Sequence, residues 1–163
     1  MPIMPPPSLT IPSPPFRKLA RLPAKLVPQG IHSQGLALLL NRLLRDALTR
    51  GEIDFLEHRV LQVEVTDLGL DYRLTLEKGA LRAASVGRIP DVRFGGRFHD
   101  FLVLALNRED PDTLFFQRRL QLEGDTELGL EIKNFLYSLD ETLFPPPLHS
   151  LARQLADLTM RNS

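Results

Sequence analysis

The chain of 163 residues carries 20 basic and 20 acidic side chains, 43% hydrophobic residues and no cysteine. That composition fits one globular domain with a terminal extension and a core of ordinary size. It excludes disulfides, thiolate metal sites and cysteine nucleophiles, and a net charge of zero gives no overall field to draw in nucleic acid.

The N-terminus, MPIMPPPSLTIPSPPF, has neither the basic start nor the continuous apolar stretch of a signal peptide. No run of 18 apolar residues exists to span a membrane, so a cytoplasmic protein is expected. Charge and proline are unevenly placed. Residues 1–30 hold nine of the 14 prolines and four basic residues (Arg17, Lys18, Arg21 and Lys25) without an acid. The rest keeps 16 basic against 20 acidic residues, a net −4. Proline fixes φ and removes donors, so residues 1–15 are expected to be extended or disordered. Within 16–27, Phe16, Leu19, Ala20 and Leu22 stand among the four cations. This short basic amphipathic patch either packs on the domain or makes weak, peripheral contact with an anionic membrane surface.

Residues 34–50 read as a helix, with Ser33 as candidate N-cap, an apolar stripe from Leu36 to Leu48, and Gly51 placed to stop it. A meander follows. Leu61, Val63 and Val65 alternate on one face of a strand, and Asp67-Leu68-Gly69 turns the chain. Leu70, Tyr72, Leu74 and Leu76 then alternate on the next strand. Lys78-Gly79 leads into a third short strand, and Pro90 precedes a fourth, DVRFGG. Strands buried on one face must be covered by helices, giving an α+β architecture in two layers.

Residues 97–107 predict a helix with Phe98, Phe101, Leu102 and Ala105 on one side, and 107–113 a turn-rich loop. Residues 118–123 predict the last strand. Asp125 or Thr126 caps a helix that presents Leu128, Ile132, Phe135, Leu136 and Leu139 in one stripe. After Pro145-Pro146-Pro147, Leu148, Leu151, Leu155 and Leu158 mark a C-terminal amphipathic helix.

No catalytic pattern stands out. His32, His58, His99 and His149 are scattered, without metal-ligand spacing, and no G-x-S-x-G is present. Glu109, Asp110 and Asp112 surround Pro111 and read as caps and a turn. The glycines belong to no phosphate-cradling motif. No cofactor or metal is therefore expected, and the chain is not expected to be an enzyme. In a strand, Arg118 and Arg119 point to opposite faces. One is expected to face inward, where it either pairs with an acid such as Asp110 or Asp112 or receives a ligand's polar head. Phe115 and Phe116 are adjacent and cannot both enter one core from an extended segment, which frees one ring to line a pocket.

Two blocks carry a family likeness. Pro90-Asp91-Val92, Phe94-Gly95-Gly96 and Phe98-x-Asp100-Phe101-Leu102, followed by LEGDTELG, resemble the sterol carrier protein type-two domain. The segment EDPDTLFFQRRLQLEGDTELGLEIKN, residues 109–134, is similar to the UbiT/YhbT-like subfamily of bacterial ubiquinone biosynthesis accessory factors. The likeness spans about 34–140 and leaves the proline-rich arm without a counterpart.

The resemblance implies a five-stranded, mostly antiparallel sheet covered by helices, with an apolar tunnel between them. It implies binding of a lipid, a prenylated quinone precursor of oxygen-independent ubiquinone biosynthesis, beside the hydroxylation proteins UbiU and UbiV. Three segments are then expected: the arm over 1–30, a sterol-carrier-like lipid-binding domain over 31–143, and the C-terminal helix over 144–163, free to act as a lid. The expected lipid wall is Phe98, Phe101, Leu102, Phe115, Phe116, Leu128, Ile132 and Phe135, with Leu39 and Leu43; Arg118 and Arg119 are headgroup candidates. A long prenyl tail rivals the domain's width, so it would fold back, enter a membrane or extend across a homodimer. An anionic phospholipid carrier and a ligand-free interaction scaffold remain the alternatives.

Overall fold

A computed structural model of the chain describes residues 29–85, 87–139 and 143–161. The expected arm, with its basic patch at 16–27, lies outside the described residues except for positions 29 and 30, which open the first helix. In chain order the elements are α1 (Gln29–Leu43), α2 (Arg45–Thr49), a 3-10 turn (Asp54–Leu56), β1 (Leu61–Val65), β2 (Leu70–Glu77), β3 (Ala80–Ala83) and β4 (Val92–Gly96). There follow α3 (Phe98–Ala105), α4 (Pro111–Phe116), β5 (Leu120–Gly124), α5 (Thr126–Ser138) and α6 (Pro146–Arg161).

The five strands form one sheet in the order β3-β2-β1-β4-β5. Only the central β1–β4 pair is parallel; the β1–β2, β2–β3 and β4–β5 pairs are antiparallel. The register carries the period-2 pattern across the sheet. Leu61 lies between Leu74 and Val92, Val63 between Tyr72 and Phe94, and Val65 between Leu70 and Gly96. These rows make one apolar face. The opposite face carries Gln62, Glu64, Asp71, Arg73, Arg93 and Glu123. There Arg93 is paired with Glu64 and lies 3.9 Å from Glu123, and Gln62 donates to Asp71 at 3.0 Å.

Four local expectations are corrected. The predicted helix 34–50 begins earlier and breaks at Leu44, where φ −102° and ψ 20° leave the helical well. Ser33 is therefore inside α1 and caps nothing: its buried hydroxyl accepts the Arg73 N–H of β2 at 3.0 Å. The expected loop at 107–113 already contains the start of α4, with Pro111 in the first turn, where its missing N–H costs no helical bond. Leu114-Phe115-Phe116 is consequently helical, and β5 begins at Leu120. Gly51, at φ +73°, follows the end of α2 as expected.

Side chains fasten the helices to the sheet. Asn41 of α1 clamps the outer edge of β3: its amide donates to Leu81 O and accepts from Leu81 N–H, both at 2.8 Å. An edge strand is thereby closed against further pairing. Asp67 accepts the Phe98 N–H at 2.9 Å at the start of α3. Asp125 caps α5 by accepting the Leu128 N–H at 2.9 Å, and with Arg59 beside it at 3.1 Å its carboxyl is held below the usual carboxylate range. Tyr137 of α5 donates to Asp112 of α4, a bond that pushes the phenol up to about 12. The C-terminal helix α6 docks on α3 through Ala152 and Ala156, small residues that let Leu102, Leu106 and Phe144 pack against it. Its Leu148, Leu151, Leu155 and Leu158 stay exposed.

The β5–α5 corner is set by one junction. Asp91 accepts the Val60 N–H on its carboxylate at 2.7 Å and the Asp125 N–H on its carbonyl at 2.9 Å. Gly124 sits at φ +115°, and a Cβ there would fall 2.5 Å from Asp91 O. Both the conformation and the close approach require glycine. Gly124→Ala is expected to cost about 2–3 kcal/mol and lower the melting temperature by roughly 4–12 °C in a calorimetric scan. A melt matching the parent would show that this corner yields freely.

Candidate functional site

The apolar face of a sheet is fully buried only if the helices above it close completely. Here they do not. Val63 and Tyr72 sit on β1 and β2, inner strands of the sheet, yet both remain half-buried. Above them lies a cavity of about 330 Å³, within the range of about 300–1,000 Å³ usual for small-molecule sites.

Three layers enclose it. The sheet supplies the floor, including Leu61, Val63, Val65, Tyr72, Leu74 and Phe94. From α1 and its end come Leu36, Leu40 and Leu44, spaced by four so that they share one face. The opposite side is built by Phe98, Phe101, Leu104 and Ala105 of α3 and by Ile132, Phe135 and Leu136 of α5, extended by Leu139 and Leu143. Phe55, from the 3-10 turn, meets Phe135 with ring centroids 6.4 Å apart, and Phe94 meets Phe101 edge-to-face at 5.0 Å. The Tyr72 hydroxyl is the single side-chain heteroatom among the lining residues. Burial raises its pKa, which keeps it a neutral donor at physiological pH. Such a lining gains free energy by taking alkyl or prenyl chain from water, about 0.8 kcal/mol per buried CH₂.

Of the ten expected wall residues, Phe98, Phe101, Ile132 and Phe135 meet at this cavity. The structure does not bring the other six there. Leu39 is 45% exposed and Leu43 half-buried, because α1 turns its 36/40/44 face inward and rotates these two aside. Leu102 points into the α3–α6 seam. Leu128 is buried in the core below the α5 cap. Phe115 stacks on Phe94 at 6.2 Å with the Lys133 ammonium 4.8 Å above its ring. Phe116, one helical step further, is 90% exposed. Sequence reasoning placed Leu36, Leu40, Leu44, Val63 and Tyr72 on buried faces without assigning them to the wall. It missed Phe55 altogether, since a single 3-10 turn carries no periodic signal.

The two headgroup candidates lie away from the cavity. Arg119 bonds Asp100 at 2.7 Å and Glu109 at 2.5 Å. The acids are thus Asp100 and Glu109, in place of the expected Asp110 or Asp112. Burial pulls the Arg119 guanidinium down, but its bonds to Asp100 and Glu109 outweigh that and hold it above its ordinary value. Asp100 is 4% exposed and belongs to this ion pair. Arg118 is exposed, at φ +58°. Neither arginine lines the cavity. No helix among the described residues is long and apolar enough to cross a membrane.

The sequence model of the SCP-2 sterol transfer family matches residues 38–137, which include β1 to β5 and most of the cavity wall. The chain belongs to this family. It is 41% identical over 139 residues to the ubiquinone biosynthesis accessory factor UbiT of Escherichia coli K12, covering 85% of this chain and 79% of that protein. The UbiT of Escherichia coli O157:H7 matches to the same extent. Among solved structures, a UbiJ-SCP2 ubiquinone synthesis protein superposes with a TM-score of 0.52 at 18% identity, over 75% of this chain and 96% of that one. The shared fold is the five-stranded mixed sheet with helices across its apolar face, and the UbiT-like membership agrees with the sequence resemblance.

Arg119→Ala would leave the buried Asp100 carboxylate without its counter-charge. A loss of about 3 kcal/mol is expected in urea unfolding at neutral pH. A loss below about 1 kcal/mol would reduce the pair to an ordinary surface contact.

Proposed function

We propose that this chain is a non-catalytic lipid-binding accessory factor that carries or presents prenylated quinone precursors in ubiquinone biosynthesis. The observation that carries this reading is the cavity between the sheet, α1, α3 and α5, lined by apolar side chains with one hydroxyl. The UbiT name of its relatives supports the pathway. On this reading the aromatic head, which carries oxygen acceptors, bonds the Tyr72 hydroxyl, and the first prenyl units lie against Phe55, Phe98 and Phe135. At about 330 Å³ the cavity holds only part of a long tail. On this reading the remainder leaves past lining residues that are only half-buried, such as Leu36, Leu139 and Leu143.

The finer reading follows the subfamily resemblance: oxygen-independent ubiquinone synthesis, with the precursor offered to UbiU and UbiV by a cytoplasmic protein that visits the inner membrane. The C-terminal helix α6 contributes no residue to the cavity wall, so a role as lid would require it to leave its seam on α3. An anionic phospholipid with its head on Arg118 or Arg119 is less well supported, because neither side chain borders the cavity.

Solvent extraction of protein purified without detergent, followed by mass spectrometry, tests the reading. A stoichiometric prenylated aromatic is expected; phospholipid alone, undisplaced by added quinone precursor, would defeat it. Ile132→Trp puts an indole into the cavity and is expected to cut loading at least about five-fold while the circular dichroism spectrum is kept. Tyr72→Phe keeps the ring and removes the donor. It is expected to weaken binding of a prenylated phenol about three- to ten-fold and to leave a pure hydrocarbon probe unaffected, a difference that parallel fluorescence titrations would resolve.

A further inference from the structure

A second concavity, about 470 Å³, opens on the polar face of the sheet against β4, β5 and the first turn of α3. It shares no lining residue with the apolar cavity, so what it does is independent of whether that cavity takes a lipid.

Four arginines border it: Arg93, Arg97, Arg118 and Arg119. Two are neutralised within the protein, Arg93 by Glu64 and Glu123 and Arg119 by Asp100 and Glu109. The guanidinium groups of Arg97 and Arg118 have no acidic partner and no hydrogen-bond acceptor among the described residues. The four arginines are matched in number by Glu64, Asp100, Glu109 and Glu123, but those acids are all drawn to Arg93 and Arg119, which leaves two unpaired guanidinium groups on the cleft. Its floor includes Gly95, where a Cβ would meet nothing within 4 Å, so bare backbone leaves open space below the guanidinium groups.

The placement of Arg118 is informative. Its φ of +58° is a conformation that glycine adopts without cost and L side chains rarely enter. Its N–H bonds Phe115 O at 3.0 Å and that of Arg119 bonds Leu114 O at 2.9 Å, closing the end of α4. Glycine would close this turn at least as well. Arginine here instead puts a cation on the cleft rim. Guanidinium groups suit oxyanions because their planar fork offers paired N–H donors and keeps its charge at any physiological pH.

We propose that this cleft is an oxyanion site that receives a phosphate or pyrophosphate group between Arg97 and Arg118. The same chemistry is presented by a soluble phosphate ester and by a lipid headgroup, and the experiment separates them.

Inorganic pyrophosphate is titrated into the full chain by calorimetry at low and high salt. Saturable binding that salt weakens is expected, at least about ten-fold weaker in Arg118→Gly and in Arg97→Gln. Arg45→Gln, an exposed position on α2, should bind as the parent does. Arg118→Gly should melt no lower than the parent, because its φ favours glycine, so lost binding is not lost fold. In parallel, the proteins are sedimented with phosphatidylglycerol and with phosphatidylcholine vesicles. Association with phosphatidylglycerol that disappears in the same two variants assigns the site to a lipid headgroup. Pyrophosphate binding lost in both variants, with vesicle association unchanged, assigns it to a soluble ligand. The proposal is overturned if pyrophosphate does not bind and neither variant alters vesicle association, or if Arg45→Gln weakens binding as much as the cleft variants do.

Discussion

The contact of Asp91 with the β5–α5 corner governs where the cavity wall stands. One residue satisfies the first N–H before β1 with its carboxylate and the N–H of the α5 cap with its carbonyl. Two strands far apart in sequence and the start of a helix are thereby fixed to a single peptide. Gly124 permits the approach, and Asp125 starts the helix one residue later. Because α5 leaves from this point, Ile132, Phe135 and Leu136 arrive over the sheet two to three turns on. An error of one residue in the corner would rotate them by about 100° and present a different face to the floor. The apolar wall thus rests on a polar joint some distance from it.

Parts of the motifs that mark the family in this sequence turn out to be such joints, while Phe94, Phe98 and Phe101 of the same motifs line the cavity. At the joints, Pro90-Asp91-Val92 and Glu123-Gly124-Asp125 meet in space, Val92 opposite Gly124. Gly96 leaves room for Leu120, whose side chain would lie 2.6 Å from any Cβ there. None of these joint residues lines the cavity. What sequence can specify tightly is the geometry of close approach, where one side chain more or less breaks the fold. An apolar wall is specified loosely, since many large hydrophobic residues fill the same space.

The legibility of the site follows the same division. Alternation in β1 and β2 gave the floor, because a period of two leaves no freedom in which face a residue takes. Phe98 with Phe101 and Ile132 with Phe135 were readable because each pair recurs at helical spacing. Leu39 and Phe116 were not, because an apolar stripe wider than the contact leaves the helix's rotation open, and only packing decides which edge is left outside. That one of Arg118 and Arg119 turns inward, to an acid or to a ligand's head, was readable, but that Arg119 is the one was not. Its partners were not readable either, since Asp100 and Glu109 reach it across the α3–α4 connection. The neighbours His99 and Asp100 diverge, as adjacent helical residues must: Asp100 turns to Arg119, while His99 shares a 2.8 Å hydrogen bond with Thr159 of α6. Helix α3 accordingly serves two sides, with Phe98 and Phe101 toward the cavity and Arg97, His99 and Asp100 toward the cleft.

The clamp of Asn41 on β3 makes the sheet asymmetric at its two ends. One border is sealed by a side-chain amide, while at the other β5 has β4 as its sole strand neighbour among the described residues. A sheet that can grow at both borders can polymerise; a sheet that can grow at one can only be completed. Any strand added beside β5 by a second copy would use up the open border of both chains at once, and assembly by that route would end at a closed pair with no path to a fibre.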